Sequence, residues 1–443
     1  MIKLTRIGRW MQFEEPINLR LERVIDKKLS YIKSGSQFLP NPLWGIVHLY
    51  NSRRRVFPVG LLSLVEPILD SWHKQANETI IIDKGEDKIK PLNVELVHLR
   101  PYQIEAFNAF YKNGGGLISL PTSAGKTRIA ERIISAFHGD QILIIVPSKE
   151  LVKQWDEELY GHKVLRNIRI ATYQKLYREV AEDKHCLDKY QLVCFDECHH
   201  CSASTLYKIG LHCPNATMLG LTATEKRMDG AEMKIQAILG DIIYKVPIQD
   251  LVKQGYITQG KVIILNVPKF KAKPDQDYRD IYNCAIVNNE YRNNLIVKTA
   301  FESHVNGTVI IMCKQIKQAK TIYEMLNKDT VNEYKNRVVY VDGNSKDRQK
   351  IFEKIKKGDY DIIVCTKIYG EGISVPRLRT MIMASGGKSS TEVIQSTGRM
   401  LRLFEGKDKA IIYDFKDSGI LGRHFRERLK VYQDNGYEVE YAI

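Results

Sequence analysis

The chain has 443 residues, 44% of them hydrophobic, which is enough to fill two or three cores of ordinary size, and we expect about three domains. Its 67 Lys and Arg residues outnumber 52 Asp and Glu residues, so the net charge of +15 favours a polyanionic partner, although a basic protein need not bind nucleic acid. No apolar run is as long as a membrane span, and the charged start MIKLTRIGRWMQFEE excludes a secretory signal, so we expect a soluble, cytoplasmic protein.

Residues 1–90 contain none of the nucleotide-binding patterns found later in the chain, and we predict that they form a small α+β domain. A strand is predicted from the alternation of Trp44, Ile46, His48 and Tyr50. Residues 60–72 have the spacing of an amphipathic helix that is interrupted at Pro67, and the polar residues 84–91 are predicted to be a linker.

Three consecutive arginines lie in this region, after the turn-like pair Asn51-Ser52. The side chains of Arg53, Arg54 and Arg55 could contact nucleic-acid phosphates, or they could form the solvated tip of a hairpin. The sequence leaves both interpretations open.

A glutamine opens the next unit, which begins with Leu99-Arg100-Pro101-Tyr102-Gln103. Gln103 stands before the phosphate loop at the distance expected of a residue that recognises adenine, since an amide can pair with both a donor and an acceptor on the base. The alternative is a surface glutamine on the predicted helix QIEAFNAFY.

The stretch LPTSAGKT, residues 120–127, follows a short apolar strand and opens into the helical sequence TRIAERIISAF. This order predicts a phosphate-binding loop, in which Gly125 allows close backbone approach, Lys126 adds a positive charge and Thr127 offers a hydroxyl to Mg²⁺. Leu120 stands where the strict pattern has glycine, and Pro121, Thr122 and Ala124 before Gly-Lys-Thr resemble the form of the loop found in helicases and translocases. The predicted nucleotide contacts are Pro121, Thr122, Ser123, Ala124, Gly125, Lys126 and Thr127.

Two further apolar strands, residues 141–146 and 168–171, end in short polar segments. In open α/β sheets the carboxyl ends of parallel strands form the binding edge, so these segments are predicted to contact nucleic-acid phosphates. The predicted contact residues are Pro147, Ser148, Lys149, Thr172, Tyr173 and Gln174.

A pair of carboxylates, Asp196-Glu197, ends the apolar run QLVCF. Beside a phosphate loop, Asp196 is predicted to hold Mg²⁺ and Glu197 to polarise the attacking water. The next residues are predicted to couple this site to the following strand end, and the coupling set is His199, His200, Thr222 and Thr224. Buried, hydrogen-bonded histidines are the alternative, and Cys198-His199-His200-Cys201 would also suit zinc, although the eight cysteines show no disulfide framework.

A second series of alternating strands and helices begins near residue 308. Strand 361–365 ends at Thr366, a predicted nucleic-acid contact, and Gly370 and Gly372 follow as predicted nucleotide contacts. The segment QSTGRMLR then supplies catalytic candidates Gln395, Arg399 and Arg402. The two arginines are predicted to share one helix face and to reach the γ-phosphate, while a surface basic helix is the alternative.

These patterns predict two tandem doubly wound parallel sheets of the α/β class after the amino-terminal domain. The predicted boundaries are 1–90, 91–256 for the nucleotide-binding domain and 257–443 for the second, which has no phosphate loop of its own. Catalysis is therefore predicted to need residues from both sheets.

Six motifs in the same order resemble those of superfamily 2 helicases: LRPYQ, PTSAGKT, DECHH, GLTAT, TKIYGEGISVP and QSTGRMLR. The segments NNEYRNNLI and RHFRERLKVYQDNGYEV are similar to the UvsW-type and XPB-like branch, and LWGIVHLYNSRRRVFPVGLL resembles the small leading domain of UvsW-type proteins. The resemblance implies two RecA-like domains, ATP and Mg²⁺ as cofactors, and ATP-driven movement on DNA. It also implies remodelling of forks, displacement loops and four-way junctions by a monomer, in the host cytoplasm for a phage protein.

Three other functions stay open. A duplex translocase subunit of a restriction system shares these motifs, but we expect no accessory nuclease or targeting segment here. RNA is an alternative substrate. A switch that closes on nucleic acid without unwinding it is a third possibility, although Glu197, Arg399 and Arg402 favour hydrolysis.

Overall fold

The structure is a computed structural model that describes the chain except residues 34, 37–38, 86–95, 138–140, 161–166, 199–201, 224–231, 274, 329–336, 346, 367–374, 376, 388–389 and 443. The side chains of residues 42, 160, 349, 390–392 and 395 are also outside the described part. Two compact units are present: Met1–Leu120 with Gly125–Val246, and Pro247–Ile443 with Pro121–Ala124.

The amino-terminal region is built on a four-stranded sheet with the order β5-β2-β1-β6. Its strands are β1 (Ile2–Ile7), β2 (Trp10–Phe13), β5 (Val56–Pro58) and β6 (Ile80–Asp83). A separate hairpin contains β3 (Ser30–Ile32) and β4 (Ile46–His48), and the helices are α1 (Leu19–Lys28) and α2 (Leu62–Ala76). This architecture confirms the predicted α+β character.

Two local predictions for this region were wrong. Trp44 lies in a 3₁₀ helix, Pro42–Gly45, and its side chain is exposed, so the strand begins only at Ile46. Helix α2 runs through Pro67 without interruption. A proline there removes one backbone hydrogen bond, and burial of Leu62, Val65 and Leu69 offsets this loss.

The first parallel sheet has six strands in the order β12-β7-β11-β10-β8-β9. Their bounds are β7 (Gly116–Ser119), β8 (Ile142–Val146), β9 (Ile168–Thr172), β10 (Leu192–Phe195), β11 (Thr217–Thr222) and β12 (Ile242–Lys245). The four central strands, β7, β11, β10 and β8, are almost entirely buried, as their unbroken apolar runs predict. The surrounding helices are α3 (Pro101–Asn113), α4 (Lys126–Ala136), α5 (Lys149–Tyr160), α6 (Tyr173–Glu182), α7 (Ala203–Leu211) and α8 (Glu232–Leu239).

The amino-terminal region packs directly on this sheet unit and shares a core with it. Ala237 of α8 is fully buried among amino-terminal residues, and Tyr207 and Met233 pack against the same cluster. A Cβ on Gly60 would lie 2.1 Å from the backbone oxygen of Gln236, so the two parts approach at backbone distance. Removal of the amino-terminal region would therefore expose apolar surface on α7 and α8.

The second unit contains a seven-stranded parallel sheet with the order β15-β16-β14-β17-β18-β13-β19. The strands are β13 (Gln259–Asn266), β14 (Thr308–Met312), β15 (Val338–Val341), β16 (Ile362–Cys365), β17 (Leu378–Met383), β18 (Lys409–Lys416) and β19 (Glu438–Tyr441). The helices are α9 (Ile248–Lys253), α10 (Tyr278–Tyr282), α11 (Glu290–His304), α12 (Ile316–Lys328), α13 (Arg348–Lys357), α14 (Ser390–Met400) and α15 (Gly419–Asp434). Two parallel sheets with flanking helices confirm the predicted fold class. No helix in the described residues has the length and apolar character needed to cross a membrane.

Candidate nucleotide site

The phosphate loop lies between β7 and α4, where the sequence predicts it. Gly125 is the residue before the helix and has a φ of 75°, which favours glycine. A Cβ at this position would also lie 2.5 Å from Gln103 Nε2. Both observations make Gly125 the position where the loop cannot accept a side chain without rearrangement.

Lys126 begins α4 and is buried, yet the partners of its ammonium group among the described residues are distant ones. Its Nζ donates to the backbone oxygen of Leu120 at 3.3 Å and lies 3.5 Å from Glu197 Oε1. These are long distances for a buried charge pair, so the ammonium is available for a stronger anionic ligand such as phosphate. Thr127 follows in the first turn and is half-buried.

Asp196 and Glu197 follow β10, whose register brings them to the same sheet edge as Lys126. Phe195 pairs with Ile145 of β8 and Gly220 of β11, and Thr222 pairs with Ser119 of β7. The backbone of Leu120 donates to the oxygen of Thr222 at 3.0 Å. The structure thus joins the phosphate loop to the predicted coupling strand through the backbone.

Asp196 is a buried carboxylate held by two donors. The Trp155 indole Nε1 donates to Oδ2 at 2.9 Å, and the Glu197 backbone nitrogen donates to Oδ1 at 2.9 Å. Burial, followed by the charge of Glu197, raises the pKa of Asp196 to about 6, and the Trp155 hydrogen bond and Lys126 oppose this rise. The site therefore disfavours two anionic carboxylates in close proximity.

These donors fit Mg²⁺ bound together with nucleotide phosphates. The Asp196 carboxylate and the Thr127 hydroxyl are hard oxygen ligands, and Mg²⁺ commonly takes one or two carboxylates plus substrate phosphates. A divalent cation would also offset the burial and the Glu197 charge, which together raise the pKa of Asp196. In the described residues no group of three or more His, Cys, Asp and Glu side chains could hold a metal ion alone.

Glu197 adopts a φ of 47°, in the left-handed region that non-glycine residues rarely adopt. Strain of this kind persists where the surrounding structure fixes it and is concentrated at functional sites. The hydrogen bond from its backbone nitrogen fixes the Asp196 carboxylate relative to the Glu197 backbone.

We expect Asp196→Asn to stabilise the protein without nucleotide and Mg²⁺. Between about pH 4 and pH 6 the folded protein retains a proton on Asp196 that the unfolded chain has lost. The free energy of unfolding therefore falls as pH rises through this window, and above it the full cost of the buried, ionised carboxylate is present. Asparagine can accept from Trp155 but presents its amide NH₂ to the Glu197 backbone nitrogen, and the loss of that hydrogen bond offsets part of the gain. The free energy of unfolding should therefore rise by about 1–2 kcal/mol at pH 7.5. Chemical denaturation measures it, and a loss of stability would contradict the assignment.

The matched control for this experiment is Asp156→Asn, an exposed carboxylate on α5. Surface substitutions away from special contacts usually change stability by less than about 0.5 kcal/mol. A similar gain in both variants would indicate a general effect of net charge and not relief of the Asp196 site.

Trp155 and Tyr173 are supporting residues that the sequence analysis did not assign to this site. The Tyr173 hydroxyl donates to the backbone oxygen of Asp196 at 3.1 Å, and its side chain is buried, so it supports the carboxylate from β9 and α6. Trp155 lies on the apolar face of α5 and is buried. Since a buried indole N–H needs an acceptor, a tryptophan at this position could have indicated a polar partner such as Asp196.

Gln103 is buried and holds two parts of the site together. Its Oε1 accepts from the Arg100 backbone nitrogen at 2.9 Å in a capping box at the start of α3, and its Nε2 donates to the oxygen of Gly125 at 3.4 Å. A surface position is therefore wrong for this residue. Adenine recognition stays a prediction.

The predicted nucleic-acid contacts of this sheet lie at its carboxyl edge. The Ser148 hydroxyl accepts from Leu151 at the start of α5, and the Thr172 hydroxyl accepts from Lys175 at the start of α6. Pro147 and Ser148 are half-buried, while Lys149 and Gln174 are exposed. The other coupling residues, His199, His200 and Thr224, lie outside the described residues.

In the second unit, Arg399 lies half-buried in the last turn of α14. Arg402 does not share this helix, which ends at Met400, so the prediction of a common helix face was wrong. The reason is a competing donor: the buried Lys407 ammonium donates to the backbone oxygens of Met400 and Arg402. Burial, then Arg379, lowers the pKa of Lys407 to about 8.

A buried frame supports the loop that leads to α14. Arg292 Nη1 donates to Ala384 O at 2.8 Å and Arg428 Nη1 to Gly387 O at 2.6 Å, and Arg428 also pairs with Asp414 through two hydrogen bonds. The Tyr437 hydroxyl donates to Thr397 Oγ1 within the helix at 3.0 Å. The buried Thr366 follows β16, whereas Gly370, Gly372 and the Gln395 side chain are outside the described part.

Comparisons with known proteins agree with this geometry. Residues 96–164 and 161–227 match the family model described as type III restriction enzyme, res subunit, and residues 291–404 match the helicase conserved C-terminal domain. DNA 3'-5' translocase XPB2 of Sulfurisphaera tokodaii is 26% identical over 357 residues, 70% of this chain and 80% of that protein. ATP-dependent DNA helicase uvsW of Enterobacteria phage T4 is 25% identical over 437 residues, 88% of this chain and 85% of that protein.

The chain belongs to the superfamily 2 helicases. Its similarity to XPB and UvsW proteins confirms the branch that the motifs indicated, and it is therefore an enzyme of the DNA helicase and translocase family. A solved structure, ATP-dependent type ISP restriction-modification enzyme LlaBIII bound to DNA, covers 84% of this chain and 34% of its own. Its TM-score is 0.58 at 17% identity, which shows a shared fold alone.

Proposed function

We propose that this superfamily 2 protein is an ATP-dependent DNA translocase that unwinds or branch-migrates forks, displacement loops and four-way junctions. The supporting observation is that Lys126, Asp196 and Glu197 lie together at the sheet edge formed by the carboxyl ends of β7 and β10. This set suits nucleotide phosphates and the activation of water, and the XPB and UvsW relatives are named as ATP-dependent or translocating DNA enzymes.

Each residue has a distinct task in this proposal. The loop backbone and Lys126 hold the β- and γ-phosphates, Glu197 polarises the attacking water, and Gln103 recognises adenine. Thr127 and Asp196 hold Mg²⁺, which neutralises charge on the transferred phosphate when bound. Arg399 and Arg402, with Gln395, supply the charge that stabilises the transition state.

The strand ends are proposed to carry the motion. Pro147–Lys149, Thr172, Gln174 and Thr366 bind successive phosphates of one strand, while Gly370 and Gly372 border the nucleotide. Thr222, with Thr224, His199 and His200, couples the two sites, since its backbone already receives the Leu120 hydrogen bond. This arrangement makes hydrolysis and movement on DNA interdependent.

The decisive experiment measures ATP hydrolysis and strand displacement with single strands, duplexes, forks and four-way junctions, each as DNA and as RNA. Turnover stimulated by DNA, with displacement or branch migration on forks and junctions, supports the proposal. RNA-dependent stimulation would replace it with the RNA alternative, and turnover without any displacement would favour a non-unwinding activity.

A duplex translocase is the second candidate, because residues 96–227 match a restriction-enzyme model. Displacement of a third strand from a linear triplex detects movement on duplex DNA without strand separation. Triplex displacement without action on forks or junctions would favour this candidate.

The amino-terminal region is proposed to recognise branched DNA through its basic turn. Arg53 and Arg54 are exposed between Asn51 and Val56, which form a bridge that closes the turn. Arg55 is half-buried with a φ of 57°, and its backbone oxygen accepts from Phe13. Arg53 and Arg54 are therefore the pair free to approach phosphates, and Arg55 anchors the turn.

We expect Arg53→Ala with Arg54→Ala to weaken junction binding and to flatten its salt dependence. Each lost phosphate contact reduces the magnitude of the slope of log affinity against log salt concentration by about 1. The slope of the double variant should therefore be smaller than that of wild type by up to about 2. Fluorescence anisotropy at several salt concentrations measures this slope. Point substitutions are preferred to truncation, since the amino-terminal region shares a core with α7 and α8.

The matched control is Arg20→Ala with Arg23→Ala, two exposed arginines on α1 that remove the same charge from the same region. Equal slopes for the two double variants would show that the basic turn has no special contact. Unchanged junction binding in the turn variant would contradict branched-DNA recognition by this surface.

A further inference from the structure

A cavity lies between the amino-terminal region and the first parallel sheet, within one compact unit. Its volume is about 450 Å³, in the range of small-molecule sites. The lining includes Gly116 and Thr217, the first residues of β7 and β11, and Gly240 after α8. The cavity is therefore at the amino edge of the sheet, opposite the edge that carries Lys126 and Asp196.

Two arginines line this cavity: Arg6 near the end of β1 and Arg9 in the turn between β1 and β2. The Arg9 side chain is 5% exposed, and its Nη1 and Nη2 donate to the backbone oxygens of Ala216 and Ile238. Arg6 is half-buried and donates to the backbone oxygens of Gly8 and Lys84. Both guanidinium groups are thus held at the wall by neutral carbonyl groups.

Neither arginine belongs to any ion pair among the described residues, whereas the nearby Lys84 pairs with Glu66 at 2.5 Å. Arg9 Nε is buried and has no hydrogen-bond partner in the described part of the chain. Burial, then the like charge of Arg6, lowers the pKa of Arg9 to about 10. A buried guanidinium without a counter-ion is unfavourable, and the charge of the half-buried Arg6 nearby adds repulsion.

We propose that this cavity binds a small phosphate-bearing anion, of the size of inorganic phosphate up to a nucleoside monophosphate. Paired guanidinium groups match the charge and geometry of phosphate oxygens, and small rearrangement of Arg6, the more exposed of the two, brings its donors to the ligand. The bound anion neutralises both arginines and links β1 and β2 to the end of α8. Its effect is a firmer attachment of the amino-terminal region to the first sheet.

Gly240 leaves open space for the ligand on the sheet side, since it has a φ of 78° and no atom within 4 Å of a Cβ position. Gly115 and Gly116 instead serve close packing, because Cβ atoms there would meet Met218 O at 2.9 Å and Ile243 Cγ2 at 2.5 Å. A phosphate group therefore has room in front of Gly240.

Thermal unfolding with sodium phosphate, compared with sodium chloride at equal ionic strength, tests the proposal on the full chain. Wild type should gain about 3 °C at roughly ten times the dissociation constant. Lys126→Ala should keep this gain, because the phosphate loop is at the other edge. Arg6→Gln should lose it, while the matched control Arg20→Gln on α1 should keep it.

The outcomes separate the possible sources of phosphate. A gain with inorganic phosphate and with AMP that depends on Arg6 supports the proposal. No gain in wild type, or a gain that is lost in Lys126→Ala and kept in Arg6→Gln, overturns it. A gain that requires a DNA duplex also overturns it and assigns the cavity to the nucleic-acid surface.

Arg9 provides a second variant with its own control. Arg9→Met should abolish the phosphate effect, but the loss of its two backbone contacts could prevent folding. Arg9→Lys retains the charge, and should retain a reduced phosphate gain. Titration calorimetry on the folded variants measures their affinity for inorganic phosphate. This affinity should be highest for wild type, lower for Arg9→Lys and lowest for Arg6→Gln, and a different order contradicts the site.

Discussion

Lys126→Ala is expected to reduce DNA-stimulated ATP hydrolysis by at least about 10³-fold. The reason is the poor match of its ammonium to the protein, with Leu120 O at 3.3 Å and Glu197 Oε1 at 3.5 Å as partners. A phosphate group offers shorter, charge-assisted hydrogen bonds in a buried setting, so the side chain contributes most when nucleotide is bound. Steady-state hydrolysis with saturating single-stranded DNA measures the loss.

Glu197→Gln should separate binding from turnover at the same site. Glutamine keeps the size of the side chain and removes the charge that polarises water, so ATP binding should persist while hydrolysis falls by about 10²–10⁴-fold. Binding of a fluorescent ATP analogue supplies the second measurement. Lys153→Ala, an exposed lysine on α5, is the control for Lys126→Ala and should retain turnover. Near-normal hydrolysis in Lys126→Ala or Glu197→Gln would refute the proposed site.

Much of the fold follows from the sequence because parallel strands that are buried on both faces have unbroken apolar sequences. QILIIV, QLVCF, TVIIMC and DIIVC each contain a strand to within one or two residues. The position of the site also follows from the sequence, since the carboxyl ends of parallel strands meet at one edge of the sheet and place Glu197 near Lys126. Local order in the sequence is sufficient for both inferences.

The errors share a different cause, which is contact with residues distant in the sequence. Pro67 remains helical because core packing outweighs one lost hydrogen bond, and Arg402 leaves the helix because Lys407 binds the carbonyl groups at its end. Trp155 and Arg9 gained their roles from acceptors 41 and 207 or more positions away. No local spacing contains this information.

Arg399→Ala is expected to lower DNA-stimulated turnover by about 10³-fold or more, as removal of an arginine finger does. Arg399 lies in the last turn of α14. Tyr437 holds this helix, and the buried arginines Arg292 and Arg428 hold the loop before it, so the backbone that carries the Arg399 guanidinium is fixed. Arg399→Lys should restore little activity, because a point charge does not reproduce the planar fork on phosphate oxygens. Single-turnover hydrolysis with and without DNA measures the chemical step.

Arg402 lies beyond the end of α14, and its backbone oxygen accepts from Lys407. If its guanidinium also acts on the γ-phosphate, Arg402→Ala should lower turnover while leaving ATP-analogue binding nearly unchanged, and the double variant should lose little more than Arg399→Ala because the two act as a unit. Arg426→Ala, an exposed arginine on α15, is the matched control and should retain turnover. Unchanged DNA-stimulated hydrolysis in Arg399→Ala would exclude the finger, and a loss equal to that of Arg426→Ala would reduce its role to general surface charge.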